Sequence, residues 1–153
     1  MNRKIKIGLF LLITIWCLGF LVEFLTPLWD KLFYLIPYLK QNYSFVCHQD
    51  AHKLIKSGHY ETLVCARCAG IYIGAFLAAL ANIFIAKKVT VKKEVLFIGG
   101  APMIFDSIAT TFGLYPYFKT IAFLTGSLFG VVSFLYFYNA IIELLNEIRV
   151  KKH

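Results

Sequence analysis

The sequence predicts an all-α integral membrane protein, a four-helix bundle with an external loop bearing Cys and His and an interfacial segment after the first span. Three observations carry this prediction. Hydrophobic residues make up 59% of the 153 and aromatics 17%, and mean hydropathy is +0.71; soluble domains sit near ~45–50% apolar. The apolar residues gather into runs of the length a bilayer requires, about 20 residues. The Lys and Arg residues stand in short clusters between those runs, where they set orientation in a membrane.

The first span covers residues 7–28, with Glu23 near its far end and Pro27 helping to stop it. The run exceeds the ~7–15 residues of a signal-peptide core and no A-x-A-like site follows, so it reads as a retained span. Residues 29–45 are too short and interrupted to cross. Trp29, Phe33, Tyr34, Tyr38, Tyr43 and Phe45 suit the headgroup level, where amphipathic rings settle. The second span covers 64–86. The third, 94–112, contains Asp106, and the fourth, 118–145, is long enough to tilt. The whole chain, 1–153, reads as a single transmembrane domain.

Basic residues give the orientation. Arg3, Lys4, Lys6, Lys87, Lys88, Lys92, Lys93, Arg149, Lys151 and Lys152 fall on one side. Lys31, Lys40, Lys53, Lys56, Arg67 and Lys119 fall on the other, spread over longer loops. Both termini are therefore expected in the cytoplasm of a cell whose inner membrane the chain crosses, with the Cys/His loop external or periplasmic. The net charge of +8 does not point to nucleic acid, because no basic face carries base-stacking aromatics. The expected partner is the lipid bilayer.

Gly70 and Gly74 in the second span, and Gly126 and Gly130 in the fourth, form G-x-x-x-G patterns. Small residues at this spacing let helices approach closely. They serve packing within the chain, a homo-oligomer or a partner membrane protein; spacing alone does not choose. Gly99, Gly100 and Pro102 predict a kink a turn before Asp106. Asp106 itself is costly inside a membrane. It reads either as a site residue, with a general base among its roles, or as a structural partner of Arg67 and nearby hydroxyls. Glu23 and Arg67 lie at the same level, so the three can converge beneath the loop.

Residues 44–74, SFVCHQDAHKLIKSGHYETLVCARCAGIYIG, hold three of the four cysteines and three of the four histidines. Cys65 and Cys68 form a C-x-x-C, one helical turn apart, and Cys47-His48 supplies a second arm. A short helix over 48–57, ended by Gly58, would put His48 and His52 on one face. Three chemistries fit. Cys47, His48, Cys65 and Cys68, with His52 and His59 as alternates, suit a transition metal, zinc first. Gln49, Arg67, Asp106 and Glu23 would then surround the ligands. Cys65 and Cys68 also suit thiol–disulfide or quinone redox work, with Cys47 resolving. The third is a structural disulfide in an accessory subunit. Cys17, mid-span, reads as a small apolar residue.

At these residues the chain resembles a family of small prokaryotic integral membrane proteins known only as a domain of unknown function. The resemblance rests on Cys47-His48-Gln49 and on Val64-Cys65-Ala66-Arg67-Cys68 with Gly70-Ile71-Tyr72 and Gly74. A second block, Pro102-Met103, Asp106, Gly113, Thr125-Gly126 and Gly130, fits further on. Lys53-Leu54-Ile55, Leu63 and Ala122 depart from the family pattern. The resemblance implies a membrane fold and singles out these residues; it brings no established activity.

Overall fold

The computed structural model describes residues 3–84 and 91–150. Helix α1 spans Arg3–Phe20 and a single-turn helix α2 spans Val22–Leu25. A 3₁₀ segment, Asp30–Leu35, leads into α3, Ile36–Ser44. Strands β1 (Leu54–Ser57) and β2 (Tyr60–Cys65) form an antiparallel hairpin. Three longer helices follow: α4 (Ala66–Phe84), α5 (Lys93–Thr111) and α6 (Lys119–Val150). Lys87, Lys88, Lys151 and Lys152 of the basic flanks lie outside the described residues.

Helices α4 and α6 are the central pair; α1 docks on α4 and α5 on α6. The glycines explain why that pair is so close. A methyl group on Gly70 would strike the Phe123 carbonyl oxygen, and one on Gly74 that of Ser127. Reciprocally, Gly126 meets the Arg67 carbonyl and Gly130 that of Ile71. The two G-x-x-x-G faces are therefore spent on each other within one chain.

Two helices, Ala66–Phe84 and Lys119–Leu145, are long and apolar enough to cross a membrane. Their surroundings fit: Leu12, Ile15, Phe97, Phe105, Leu124 and Phe137 point outward and are each at least 61% exposed. Monomeric soluble proteins do not leave so continuous an apolar surface open. Helix α5 follows the apolar run 94–112 within a residue at each end, with Pro102 inside it, and is not one of those two.

The first predicted span is not one helix. It breaks at Leu21, and its apolar part, Ile5–Phe20, is about 24 Å long at 1.5 Å per residue. A contact from α3 meets the helix just before the break. Tyr43 donates its hydroxyl to the Trp16 carbonyl at 2.6 Å, occupying an acceptor in the last turn of α1. Gly19 leaves room for that ring, since a methyl there would strike the Tyr43 oxygen. At the other end of α1, Lys6 is buried and donates to the Asn82 carbonyl at 2.6 Å. That carbonyl belongs to the last turn of α4, where a cation suits the helix dipole.

The all-α expectation also needs correcting. Residues 48–57 form no helix but a turn and then β1. Gly58, at φ 61°, occupies the first central position of the two-residue turn between Ser57 and Tyr60, where a type II′ hairpin places its glycine. Tyr60, Thr62 and Val64 prefer a pleated surface. The pairing slips between Leu54 and Lys56. The buried Thr62 hydroxyl bridges that slip, accepting from Ile55 N–H at 3.1 Å and donating to the Val64 carbonyl at 2.8 Å.

Candidate metal centre

Three elements bring the thiols together. Cys47 follows α3 and continues its last turn, its N–H donating to the Tyr43 carbonyl at 2.9 Å. Cys65 ends β2, and Cys68 lies in the first turn of α4. Gln49 holds the Cys47 arm down. Its backbone takes the left-handed region, φ 49°. Its side-chain amide donates to the Lys40 and Leu63 carbonyls at 2.8 and 2.9 Å. The arm is thereby tied to α3 on one side and β2 on the other.

The Sγ atoms of Cys47, Cys65 and Cys68 lie within 4.8 Å of one another, and all three are free thiols. Three sulfurs at ~2.3 Å from one tetrahedral zinc sit about 3.8 Å apart, so little movement would seat an ion. The Cys47 sulfur is buried and accepts from the Cys65 N–H at 3.1 Å. Hydrogen bonds from the Cys65 thiol, then from Cys68, draw the Cys47 pKa down to about 2 against the effect of burial. The Cys65 thiol is pushed up, chiefly by that same bond to Cys47. Of the three, Cys47 is thus the thiol that its neighbours' hydrogen bonds favour as a thiolate.

The predicted histidines do not join. His48, His52 and His59 are exposed, and among the described residues the metal-competent group contains cysteines alone. The hairpin is the reason: it carries His59 to its turn and leaves His52 before β1, so no helical face unites His48 with His52.

Arg67 and Asp106 do meet. Arg67 Nη2 donates to Asp106 Oδ2 at 2.5 Å, and Nη1 donates to the Ser107 hydroxyl at 3.1 Å. The Tyr115 hydroxyl donates to Asp106 Oδ1. Both carboxylate oxygens are therefore engaged, which suits a structural partner better than a free base. Glu23 turns elsewhere: its Oε2 accepts from Glu61 N–H at 2.9 Å, bolting α2 to the hairpin.

Tyr115 and Tyr117 were not among the sequence-derived candidates. Gly113 is the signal that places them. At φ 70° it ends α5 in a Schellman motif, with Leu114 N–H on the Ala109 carbonyl at 2.9 Å and Gly113 N–H on that of Thr110 at 3.3 Å. The chain then doubles back over Asp106. The Tyr117 ring lies 5.7 Å from the Arg67 guanidinium carbon, and Lys53 Nζ is 5.7 Å from the same ring.

Residues 47–136 match the family described as "predicted membrane protein" (DUF2085), a stretch that starts at Cys47 and takes in every residue of the triad and the ion pair. The chain belongs to this family. It is also similar to an uncharacterized protein of Methanocaldococcus jannaschii, 31% identical over 106 residues, which cover 67% of this chain and 68% of that protein. No solved structure matches. The family description agrees with the lipophilic exterior of α4, α5 and α6.

Proposed function

We propose that this membrane protein binds a transition metal, zinc first, through Cys47, Cys65 and Cys68. The observation that carries the reading is the convergence of three free sulfurs within 4.8 Å from three separate elements. A disulfide needs two. A third thiol in the same space suits an ion, and soft thiolates suit zinc or copper(I). The N-terminus of α4 adds partial positive charge beside the sulfurs. The site lies at the outer face of a four-span bundle with cytoplasmic termini, supported by the asymmetry of Lys and Arg between the two ends. Arg67, Asp106 and Gln49 hold the ligand-bearing segments in place, which is how groups behind a metal's ligands tune it.

A second reading is thiol–disulfide exchange, and one observation favours it. A buried Cys47 sulfur that accepts the Cys65 N–H at 3.1 Å and lies within 4.8 Å of two further thiols is arranged as a nucleophile. One experiment separates the two. The full chain, purified in detergent, is assayed for metal per chain and for free thiols before and after reduction. Near-stoichiometric zinc that disappears in Cys47→Ser, Cys65→Ser and Cys68→Ser supports the metal. Absence of metal, with two thiols appearing only on reduction, refutes it in favour of exchange.

A further inference from the structure

Beyond the end of α1 lies a groove that the cysteines do not line. It is an open cavity of about 450 Å³ between the 3₁₀ segment and the hairpin, and its lining includes Thr26, Asp30, Lys31, Phe33, Tyr34 and Tyr60. Small-molecule sites have volumes of roughly 300–1,000 Å³. The two walls are fixed to each other. Glu23 Oε2 accepts from Glu61 N–H at 2.9 Å, and the Phe24 and Tyr60 rings lie 6.1 Å apart. The near wall is closed by backbone bonds from Leu28 N–H to the Leu25 carbonyl and from Trp29 N–H to that of Thr26, at 3.0 and 3.1 Å.

The lining combines both charges with aromatic rings. Asp30 and Lys31 are exposed and adjacent in the chain, yet neither side chain forms an ion pair or a hydrogen bond among the described residues. Phe33, Tyr34 and Tyr60 stand beside them. A carboxylate among aromatic rings suits a cationic amine, which the ring faces and the negative charge both attract. The Lys31 ammonium suits a phosphate. The headgroup of a zwitterionic phospholipid carries both groups. Location favours a lipid over a solute: Leu28, Trp29, Phe33 and Tyr34 are each at least 68% exposed, and aromatic residues of a membrane protein settle at the headgroup level. Anionic lipids are recognised by clusters of Lys and Arg, whereas this groove sets one Lys beside one Asp.

We propose that the groove binds the headgroup of a zwitterionic phospholipid, its ammonium held by Asp30 with the rings of Tyr34 and Tyr60 and its phosphate by Lys31. The acyl chains leave past the exposed apolar residues alongside. The site is independent of any metal at the cysteines.

Native mass spectrometry of the full chain in an uncharged maltoside detergent, titrated with dihexanoyl phosphatidylethanolamine, should show one saturable lipid per chain. Dihexanoyl phosphatidylglycerol, which lacks the amine, should bind about 5-fold more weakly, the upper scale of an exposed ion pair. Glycerophosphoethanolamine, which lacks the chains, should bind more weakly still. Asp30→Asn should weaken phosphatidylethanolamine by about 3- to 5-fold, and Tyr34→Leu by a similar factor through the lost cation–π contact. Asp30→Lys should reverse the preference in favour of phosphatidylglycerol. Neither side chain holds another part of the fold, so thermal unfolding of the variants should match that of the unmodified chain. Equal binding of the two lipids, or a preference that Asp30→Lys leaves in place, would mean unselective lipid and overturn the proposal. Glycerophosphoethanolamine binding as tightly as the lipid would overturn it in favour of a soluble ligand.

Discussion

Removing the Asp106 carboxylate tests whether the ion pair between α4 and α5 holds the hairpin end of the molecule together. Asp106 is 3% exposed. Its partner's side chain is 18% exposed, so solvent screens the pair little. In Asp106→Leu, Arg67 keeps its charge and loses its counter-ion, and Tyr115 loses its acceptor. Breaking a buried pair from one side costs about 3–5 kcal/mol, because an uncompensated charge is left behind. Replacing both partners with apolar residues is often near neutral. Arg67→Met with Asp106→Leu should therefore be more stable than Asp106→Leu alone, with a coupling energy of at least ~2 kcal/mol in a double-mutant cycle. Reversible denaturant unfolding of the metal-free protein in detergent supplies the four free energies. Costs that simply add, or an Asp106→Leu variant within ~1 kcal/mol of the unmodified protein, would show that the pair does not bear on stability.

Three further outcomes follow from other contacts. Gly74→Leu sets a side chain against the Ser127 carbonyl and should lower stability by about 1–3 kcal/mol. The matched control Gly8→Leu, with nothing within 4 Å of its Cβ, should stay within ~0.5 kcal/mol in the same thermal assay. Lys6→Met strips the last turn of α4 of its cationic donor and should cost about 1.5–3 kcal/mol in unfolding, the range for a hydrogen bond to a charged group. Zinc affinity should rise with pH, since hydrogen bonds from its neighbours hold the Cys47 pKa down while Cys65, pushed up, must surrender its proton to bind. With Cys68 losing its proton too, the gain approaches ~100-fold per pH unit. A competing chromophoric chelator measures it, and affinity independent of pH would exclude thiolate ligation.

Periodicity and composition made the long helices legible because an apolar run of span length has few alternatives. Hence α5 begins and ends, and α4 and α6 begin, within about two residues of where apolar character does. The hairpin is hidden in the sequence for a different reason. Four- and six-residue strands leave little periodicity, and Gly58 in Ser57-Gly58-His59-Tyr60 reads equally well as a helix stop. A glycine in the left-handed region serves either purpose; the β-preferring Thr62 and Val64 beyond it were the deciding signal. The contact at the break in α1 comes from Tyr43, 27 residues from Trp16, a partner that no local window contains. The triad was legible as residue types. Its exclusion of His48, His52 and His59 was not, because that follows from the hairpin.

The same glycines that join α4 to α6 bear on the chemistry. The Arg67 carbonyl rests on Gly126 of α6, while the Arg67 side chain reaches Asp106 on α5. Three helices thus meet at the residue that stands between Cys65 and Cys68. The third sulfur arrives from a different body, the α3 arm, tethered by Gln49 to Lys40 and Leu63. One sulfur, Cys68, is therefore fixed to α4, one, Cys65, to the end of β2 that runs into α4, and one to a strap. A centre built this way can be assembled or opened by moving the strap alone, without disturbing the helix packing. Gln49→Ala distinguishes this arrangement from a uniformly rigid one. It should weaken metal retention, seen as faster loss of zinc to a chelator, while the unfolding of α4, α5 and α6 stays unchanged. Equal loss of both would mean that the strap and the helices form one cooperative unit.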